Sequence, residues 1–132
     1  MDAFYSCASF QESRNGPVVI VEDDEALRAA IAFALEVEGF EVAAFESAEQ
    51  VLERMPFPSV CLVVDYVLPG SNGLALLTRL RALGVKAPAL LVTTHPNSLM
   101  RARAAIADAH VLEKPLGGDE ILRAVKSASG IA

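Results

Sequence analysis

Residues that can hold a metal ion or contact a phosphate group follow four of the short apolar runs in this 132-residue chain. Mg²⁺ prefers oxygen ligands, and a carboxylate beside Mg²⁺ can attack phosphorus because the metal offsets the charge of the incoming group. A lysine adds a second positive charge, and a threonine hydroxyl can hydrogen-bond a phosphoryl oxygen. These residue types together suggest phosphoryl transfer to an aspartate. In chain order they are Glu22, Asp23 and Asp24, then Asp65, then Thr93 and Thr94, and finally Lys114.

The elements that must position these residues alternate between strand and helix patterns from Pro17 onward. Continuously apolar, β-branched runs such as Val18–Val21 are typical of strands buried on both faces of a parallel sheet. The sequence therefore predicts an α/β fold: a flavodoxin-like, doubly wound, five-stranded parallel sheet in the order 2-1-3-4-5, with five helices, as a single domain. The predicted strands are 18–21, 40–45, 60–64, 89–92 and 111–112, and helices follow them.

This strand order brings the candidate residues together. Ligands of open parallel sheets bind at the carboxyl ends of the strands, where the strand order reverses. Strands one and three are neighbours there, so Glu22, Asp23 and Asp65 are expected to share one crevice, and a divalent cation would relieve their repulsion. Singly, each signal is weak, because an aspartate after a strand is usually a turn former or a helix cap, as Asp24 can be. Their joint placement favours a shared site.

Composition and charge exclude several classes of protein. The chain has 11 basic and 17 acidic residues and no Lys/Arg cluster, so direct nucleic-acid binding is not expected. No apolar run reaches the roughly 20 residues of a spanning helix, so no membrane contact is expected. The first ten residues contain Asp2 and no basic residue, unlike a secretory signal peptide, which predicts a cytoplasmic protein. Cys61 lies in an apolar run and is interpreted as a small core residue.

Three segments are expected along the chain. Residues 1–16 do not follow the strand-helix alternation and are interpreted as an irregular N-terminal extension, residues 17–128 as the domain, and residues 129–132 as a C-terminal tail. If no further domain follows Ala132, the protein is expected to act through binding, relay or sequestration, unless the chain is a fragment of a longer protein.

Four stretches resemble the response-regulator receiver domain of two-component signalling. Together they cover the chain from about residue 18 to residue 127 in the order and spacing of that family. The stretches are VVIVEDDEALR (Val18–Arg28), LVVDYVLPGSNGLALL (Leu62–Leu77), PALLVTT (Pro88–Thr94) and LEKP (Leu112–Pro115).

The resemblance implies a phosphoprotein of a phosphorelay, not an enzyme beyond its own phosphorylation and dephosphorylation. A sensor histidine kinase or a phosphotransfer protein would donate the phosphoryl group with Mg²⁺ as cofactor, and the aspartyl phosphate would switch protein-protein interactions. The implied roles are phosphoacceptor and metal ligand for Asp65, metal ligand for Asp23, water-mediated metal contact for Glu22, metal contact through the backbone carbonyl for Val67, switch hydroxyl for Thr93, and phosphate contact for Lys114, whose bond to Pro115 would be cis.

The chain also departs from the family pattern. An aromatic residue usually stands three positions before the lysine, where this chain has Val111, so coupling between Thr93 and an aromatic ring is expected to be weakened or rerouted. The usual Gly-Ala before the fifth strand is missing as well, since the chain reads Ala107-Asp108-Ala109-His110 there. Val67 and His95 match positions that tune the lifetime of the phosphoryl group, although His95 can equally be an ordinary exposed loop residue.

Alternative functions were weighed against these residues. The main alternative is a receiver-fold interaction module whose output no longer depends on phosphorylation, which Val111 motivates. A Mg²⁺-dependent hydrolase with an aspartate nucleophile is remote, because its general acid would stand where the chain has Val67. A nucleotide-binding fold is disfavoured because Glu-Asp-Asp after the first strand would repel a phosphate. The resemblance implies a possible homodimer through the fourth helix, fifth strand and fifth helix, because receiver domains commonly dimerise there. The many small and apolar residues of segment 99–125 fit this surface, or only an ordinary half-buried helix pair.

Overall fold

Strands and helices alternate along residues 16–130, which are the part of the chain that the computed structural model describes. Residues 1–15, which hold nearly all of the predicted extension, and residues 131–132 lie outside it. In chain order the elements are β1 (Val18–Val21), α1 (Glu25–Val37), β2 (Val42–Phe45), α2 (Ala48–Arg54), β3 (Cys61–Asp65), β4 (Val67–Leu68), β5 (Ser71–Asn72), α3 (Gly73–Ala82), β6 (Ala89–Thr93), α4 (Ser98–Ile106), β7 (Ala109–Glu113) and α5 (Gly118–Ser129).

Five of the strands form one parallel sheet in the order β2-β1-β3-β6-β7. This order confirms the predicted 2-1-3-4-5 arrangement, since β6 and β7 are the fourth and fifth strands of the sheet. The three central strands are buried on both faces, as their uninterrupted apolar character predicts. Helices α1 and α5 cover one face and helices α2, α3 and α4 cover the other, so the sheet is doubly wound.

Side-chain caps set the start of several helices. The Asp24 carboxylate accepts a hydrogen bond from the backbone N–H of Leu27 at 3.0 Å, so Asp24 does cap α1. The Ser47 hydroxyl caps α2 in the same way, and the Asn72 side chain caps α3. The carboxylate of Asp24 is therefore used at the start of α1, which leaves Glu22 and Asp23 of this acidic run for the predicted site.

Several local features differ from the sequence-based expectation. Strands β4 and β5 form a short antiparallel hairpin, an element that was not among the predicted strands. The Met55–Pro56 bond is cis, which the sequence did not indicate, whereas the cis Lys114–Pro115 bond is the one that the resemblance implied. Strand β2 begins at Val42, two residues later than predicted, because Phe40 turns into the core beside α1. Helix α5 ends at Ser129, a residue assigned above to the tail.

The turn before β7 lies where receiver domains usually have the sequence Gly-Ala, which this chain lacks. Asp108 has a φ of +58°, in the left-handed region that glycine occupies most easily and that aspartate tolerates better than most residues. The side chain of Arg81, at the end of α3, donates hydrogen bonds to the carbonyl oxygens of Ala107 at 2.8 Å and Asp108 at 3.0 Å. It also donates to the carbonyls of Val85 at 2.9 Å and Ala87 at 2.7 Å. One guanidinium therefore joins the loops that precede β6 and β7.

The environment of Cys61 and the lengths of the helices agree with the interpretation of the sequence. Cys61 lies in the core, and burial raises the pKa of its thiol to about 12, so the thiol stays protonated and unreactive near neutral pH. None of the helices formed by the described residues combines the length and apolar character needed to cross a membrane.

Candidate functional site

The carboxyl ends of the central strands bring the predicted residues to one edge of the sheet. Val21 stands opposite Val64 in the register of β1 and β3, and Asp65 stands opposite Val92 in β6. Glu22 directly follows β1, so it lies beside Asp65. Both acidic side chains are buried, whereas Asp23 is exposed.

Three carboxylates at this edge form a cluster. One oxygen from each of Glu22, Asp23 and Asp65 lies within 4.8 Å of the other two. An all-oxygen set with one exposed member and room for water is the kind that Mg²⁺ prefers, since this ion keeps several waters and takes one or two carboxylates. The donor set therefore fits the metal that the sequence suggested.

Lys114 supplies the positive charge of the site. Its Nζ lies 3.1 Å from Oδ1 of Asp65 and 3.4 Å from Oε1 of Glu22. Its backbone N–H donates a hydrogen bond of 2.8 Å to the carbonyl oxygen of Thr93, which ties the residue after β7 to the end of β6. The lysine thus bridges two carboxylates that would otherwise face each other without a cation.

Burial and charge shift the pKa values of this group. Burial raises the pKa of Glu22, and the charge of Asp65 raises it further, although the backbone N–H of Asp24 and the ammonium of Lys114 act in the opposite direction. Burial acts to lower the pKa of Lys114. The hydrogen bond and charge of Asp65, together with those of Glu22, outweigh it and leave the pKa of Lys114 above its ordinary value.

Arg28 is a residue of the site that the sequence analysis did not single out. Its Nη1 donates hydrogen bonds to the carbonyl oxygens of Glu22 at 2.8 Å and Asp23 at 3.4 Å. From the first turns of α1 it therefore fixes the backbone that carries two of the three carboxylates. An arginine early in a helix after an acidic loop is the only signal, and it is a common pattern on exposed helices.

Thr93, the expected switch residue, and Val111, at the position where the resembling family has an aromatic residue, lie on the opposite face of the sheet from α1 and α5. Thr93 is buried at the last position of β6, and Val111 is buried in the core cluster beneath α4. Tyr66 directly follows Asp65 and packs against that same cluster, and its backbone N–H donates to the carbonyl of Val92 at 2.8 Å. This face of the sheet therefore does contain an aromatic ring, that of Tyr66, which directly follows β3 and does not lie on β7.

Val67 and His95, which the resemblance matched to positions that tune the lifetime of the phosphoryl group, are open to solvent. The Val67 side chain is 66% exposed, within the β4–β5 hairpin, and His95 is exposed in the loop after β6. Among the described residues, no hydrogen bond or ion pair involves the His95 side chain. The geometry brings Glu22, Asp23, Asp65 and Lys114 together and leaves His95 outside that cluster.

Gly73 lies directly against the site. It begins α3, and its backbone N–H donates to the carbonyl of Tyr66 at 2.7 Å. A Cβ atom at this position would lie 2.3 Å from the carbonyl oxygen of Asp65, so only glycine allows the helix to begin there. The close approach places the first turn of α3 against the backbone of the candidate phosphoacceptor.

Known sequences that match this chain are bacterial regulators. The model of the response regulator receiver domain family matches residues 18–126. Transcriptional regulatory protein FixJ of Azorhizobium caulinodans is 34% identical over 116 residues, which are 86% of this chain and 55% of that protein. Nodulation protein W of Bradyrhizobium diazoefficiens is 36% identical over 121 residues, 90% of this chain and 53% of that protein. The chain spans about half the length of these curated relatives.

Solved structures with the same fold include two receiver domains. The non-phosphorylated HemR receiver domain from Leptospira biflexa has a TM-score of 0.81 at 23% identity, covering 88% of this chain and 95% of that one. A CheY-like response regulator receiver domain protein from Methanospirillum hungatei has a TM-score of 0.80 at 25% identity, covering 86% of this chain and 93% of that one. Both likenesses agree with the parallel sheet and its five helices.

Proposed function

This chain belongs to the response regulator receiver domain family, and we propose that it is a phosphoacceptor of a two-component phosphorelay. In this proposal Asp65 takes a phosphoryl group from a sensor histidine kinase or a phosphotransfer protein. The cytoplasm is the proposed location, residues 17–128 are the proposed receiver unit, and altered protein-protein contacts are the proposed output.

The observation that carries the proposal is the position of Lys114 between Asp65 and Glu22, at 3.1 Å and 3.4 Å. An oxygen of the Asp65 carboxylate attacks the phosphorus of a phosphohistidine, and an acyl phosphate bond forms as the P–N bond breaks. The electron pair of the broken bond stays on the imidazole nitrogen of the donor. Lys114 then contacts a phosphoryl oxygen and offsets its charge, and the Thr93 hydroxyl donates a hydrogen bond to another.

Metal binding is part of the same proposal. Asp23 and Asp65 are the proposed direct ligands, with Glu22 acting through water and Val67 through its backbone carbonyl. Bound Mg²⁺ would supply the charge that lets an anionic donor approach three carboxylates. Arg28 holds the Glu22–Asp23 backbone in place, so these two residues need little rearrangement when the metal binds.

Incubation with Mg²⁺ and acetyl phosphate, followed by intact mass measurement, tests the assignment of Asp65. Wild-type protein is expected to gain the mass of one phosphoryl group, and the Asp65→Asn variant is expected to gain none, because an amide cannot form the acyl phosphate. Asp24→Asn is the matched control, since Asp24 caps α1 and is not one of the clustered carboxylates. Equal labelling of wild type and Asp65→Asn, or no labelling of wild type, would contradict the proposal.

A second candidate function rests on Val111. A valine cannot rotate a ring toward Thr93, so the fold can serve as an interaction module whose output does not follow phosphorylation. Partner binding that is the same for Asp65→Asn and for phosphorylated wild type would favour this candidate. Tyr66, Phe45 and Phe57 contribute aromatic rings to the same core cluster as Val111, and Tyr66 is the one that directly follows Asp65.

The proposed output surface includes helix α4. Ala104 is its one buried residue, whereas Leu99 is 59% exposed and Ile106 is 86% exposed. We propose that α4, with β7 and α5, contacts a second copy of this chain once Asp65 is phosphorylated. Beryllofluoride, which mimics the phosphoryl group, is expected to raise the sedimentation coefficient of wild type but not of Ile106→Asp. An unchanged monomer of wild type at high concentration would count against this surface.

A further inference from the structure

Residues 22–24 form the acidic loop, which joins β1 to α1 and carries two of the three clustered carboxylates. Hydrogen bonds hold both of its ends. The backbone N–H of Glu22 donates to the carbonyl oxygen of Phe45 at 3.0 Å, and the carboxylate of Asp24 caps α1. The backbone N–H of Asp24 also donates to Oε2 of Glu22 at 3.1 Å. Asp23, in the middle of the loop, lies between these two fixed ends.

Asp23 is the least constrained of the three carboxylate residues. Glu22 and Asp65 are buried, and each has an oxygen within 3.4 Å of the ammonium of Lys114, whereas Asp23 is exposed. In the part of the chain that the structure describes, the one hydrogen bond to Asp23 comes from Nη1 of Arg28, 3.4 Å from its carbonyl oxygen. The same nitrogen lies 2.8 Å from the carbonyl oxygen of Glu22. Arg28 therefore ties the backbone of Asp23 to helix α1.

The position of a carboxylate matters more for Mg²⁺ than for Ca²⁺. Mg²⁺ requires nearly octahedral geometry with oxygen ligands at about 2.0–2.1 Å, whereas Ca²⁺ accepts about six to eight oxygens at about 2.3–2.6 Å in a flexible arrangement. A loop that can shift would still serve the larger ion, but it would lose the geometry that the smaller ion needs. Holding the acidic loop in place therefore favours Mg²⁺ over Ca²⁺.

We propose that Arg28 is a positioning residue that makes the candidate site selective for Mg²⁺ over Ca²⁺. This inference rests on the metal site of the proposed function and adds the residue that discriminates between ions. Arg28 acts through the backbone of Glu22 and Asp23 and does not touch the metal, because a guanidinium has donors and no acceptor. Replacing a residue that holds metal ligands in place commonly changes metal affinity by about 10- to 100-fold.

The charge of Arg28 leads to the opposite expectation. A guanidinium repels a cation, so if charge were its main effect, its removal would strengthen the binding of Mg²⁺ and Ca²⁺ alike. If Arg28 acts by holding the acidic loop, its removal weakens the binding of Mg²⁺ and has little effect on the binding of Ca²⁺. The direction of the change and the difference between the ions therefore separate the two roles.

Titration of the metal-free protein with MgCl₂ and with CaCl₂ tests the inference, with the NMR shifts of the Asp23 and Asp65 amides giving both dissociation constants. Arg28→Met is expected to weaken Mg²⁺ binding by about tenfold and Ca²⁺ binding by less than about threefold. Arg28→Lys keeps the charge but loses the fork of donors, so it is expected to weaken Mg²⁺ binding by about threefold and to leave Ca²⁺ binding unchanged. No phosphodonor is present, so the result does not depend on whether Asp65 accepts a phosphoryl group.

Arg81→Met is the matched control. The guanidinium of Arg81 also donates to backbone carbonyls, but none of these belongs to the acidic loop or to the clustered carboxylates. Its replacement is expected to lower the stability of the protein and to leave the ratio of the two dissociation constants unchanged. If Arg28→Met does not unfold cooperatively, the Arg28→Lys result decides.

The possible failures can be told apart. If wild type binds Mg²⁺ at the cluster and Arg28→Met leaves the ratio of the Mg²⁺ and Ca²⁺ dissociation constants unchanged, the inference is wrong and the metal site stands. Tighter binding of both ions by Arg28→Met, or the same change of ratio in Arg81→Met, would also overturn the inference alone. Wild-type protein that binds neither ion at the cluster would contradict both the inference and the metal site of the proposed function.

Discussion

Replacing Lys114 with methionine is expected to lower the free energy of unfolding by about 2 kcal/mol at neutral pH. The substitution keeps most of the apolar stem and removes the ammonium that lies 3.1 Å from Asp65 and 3.4 Å from Glu22. Both carboxylates are buried, so their repulsion would be poorly screened. Removing one partner of a fully buried ion pair usually has a larger effect, but the Lys114 side chain is 21% exposed and water will solvate part of the site. Urea unfolding measures the difference.

Lys126→Met is the matched control for this prediction. Lys126 also pairs with an acidic side chain, Glu38 at 3.5 Å, but this pair is more exposed, with 33% of the lysine side chain and 41% of the glutamate side chain open to solvent. Its loss is expected to change the free energy of unfolding by less than about 0.5 kcal/mol. Adding Asp65→Asn to Lys114→Met is expected to recover part of the lost stability, because only one buried carboxylate then remains. A similar effect at positions 114 and 126 would contradict the role assigned to Lys114.

The pH dependence of the Lys114→Met effect follows from the two pKa shifts. The pKa of Lys114 is raised in the folded protein, so its contribution is complete below the ordinary lysine value of 10.5 and is lost as the pH rises through the folded value. The pKa of Glu22 is also raised, so the folded protein takes up this proton more readily than the unfolded chain, and repulsion involving Glu22 decreases as the pH falls toward 4.5. The stability difference between wild type and Lys114→Met is therefore expected to be greatest at pH values above the folded pKa of Glu22 and below the ordinary lysine pKa of 10.5.

The Lys114→Met variant is also expected to accept phosphoryl groups much less readily. We expect labelling by acetyl phosphate to fall by about a hundredfold in Lys114→Met, because a fixed positive charge no longer faces the group that is transferred. Lys126→Met should label at the wild-type rate. A large loss of stability with unchanged labelling would assign Lys114 a structural role only.

Replacing Gly73 with alanine is expected to lower the free energy of unfolding by about 3 kcal/mol. The added Cβ would lie 2.3 Å from the carbonyl oxygen of Asp65, 2.8 Å from a methyl carbon of Val64 and 2.9 Å from one of Leu91. The nearest of these atoms belongs to the backbone, which cannot rotate away as a side chain can. Either α3 or the end of β3 must move, and a movement of β3 displaces Asp65, which ends that strand. Urea unfolding combined with the acetyl phosphate assay measures both consequences.

Gly117→Ala provides the control for the glycine prediction. Gly117 has a φ of −74°, which alanine adopts easily, and its Cβ would meet no atom within 4 Å. Its substitution is expected to change stability by less than about 1 kcal/mol, since glycine is only modestly better than alanine before a helix. If Gly73→Ala is as mild as Gly117→Ala, the contact between α3 and Asp65 is looser than the structure indicates.

Sequence patterns predicted the elements of the fold and the placement of most candidate residues. Buried parallel strands are continuously apolar, so the residue that ends each run is visible in the chain as a change of type. Asp65 and Lys114 follow such runs, and the topology rule for parallel sheets places them at one edge. The strand order itself was taken from the flavodoxin-like folds that alternate strands and helices in this way.

Contacts that long side chains make with distant backbone groups could not be predicted from the sequence. Arg28 and Arg81 resemble ordinary surface arginines in the sequence, and their partners are backbone carbonyls, which every residue has. The β4–β5 hairpin is two residues long on each side, too short for a strand pattern to appear.

Arg81 also determines which part of the molecule can open without unfolding the rest. Helix α4 buries only Ala104, and few apolar contacts hold a helix weakly against the domain. The hydrogen bonds from Arg81 to Ala107 and Asp108 fasten the chain immediately after that helix. Residues 98–106 can thus form a separate cooperative unit, with amide hydrogens that exchange with solvent while those of β7 remain protected.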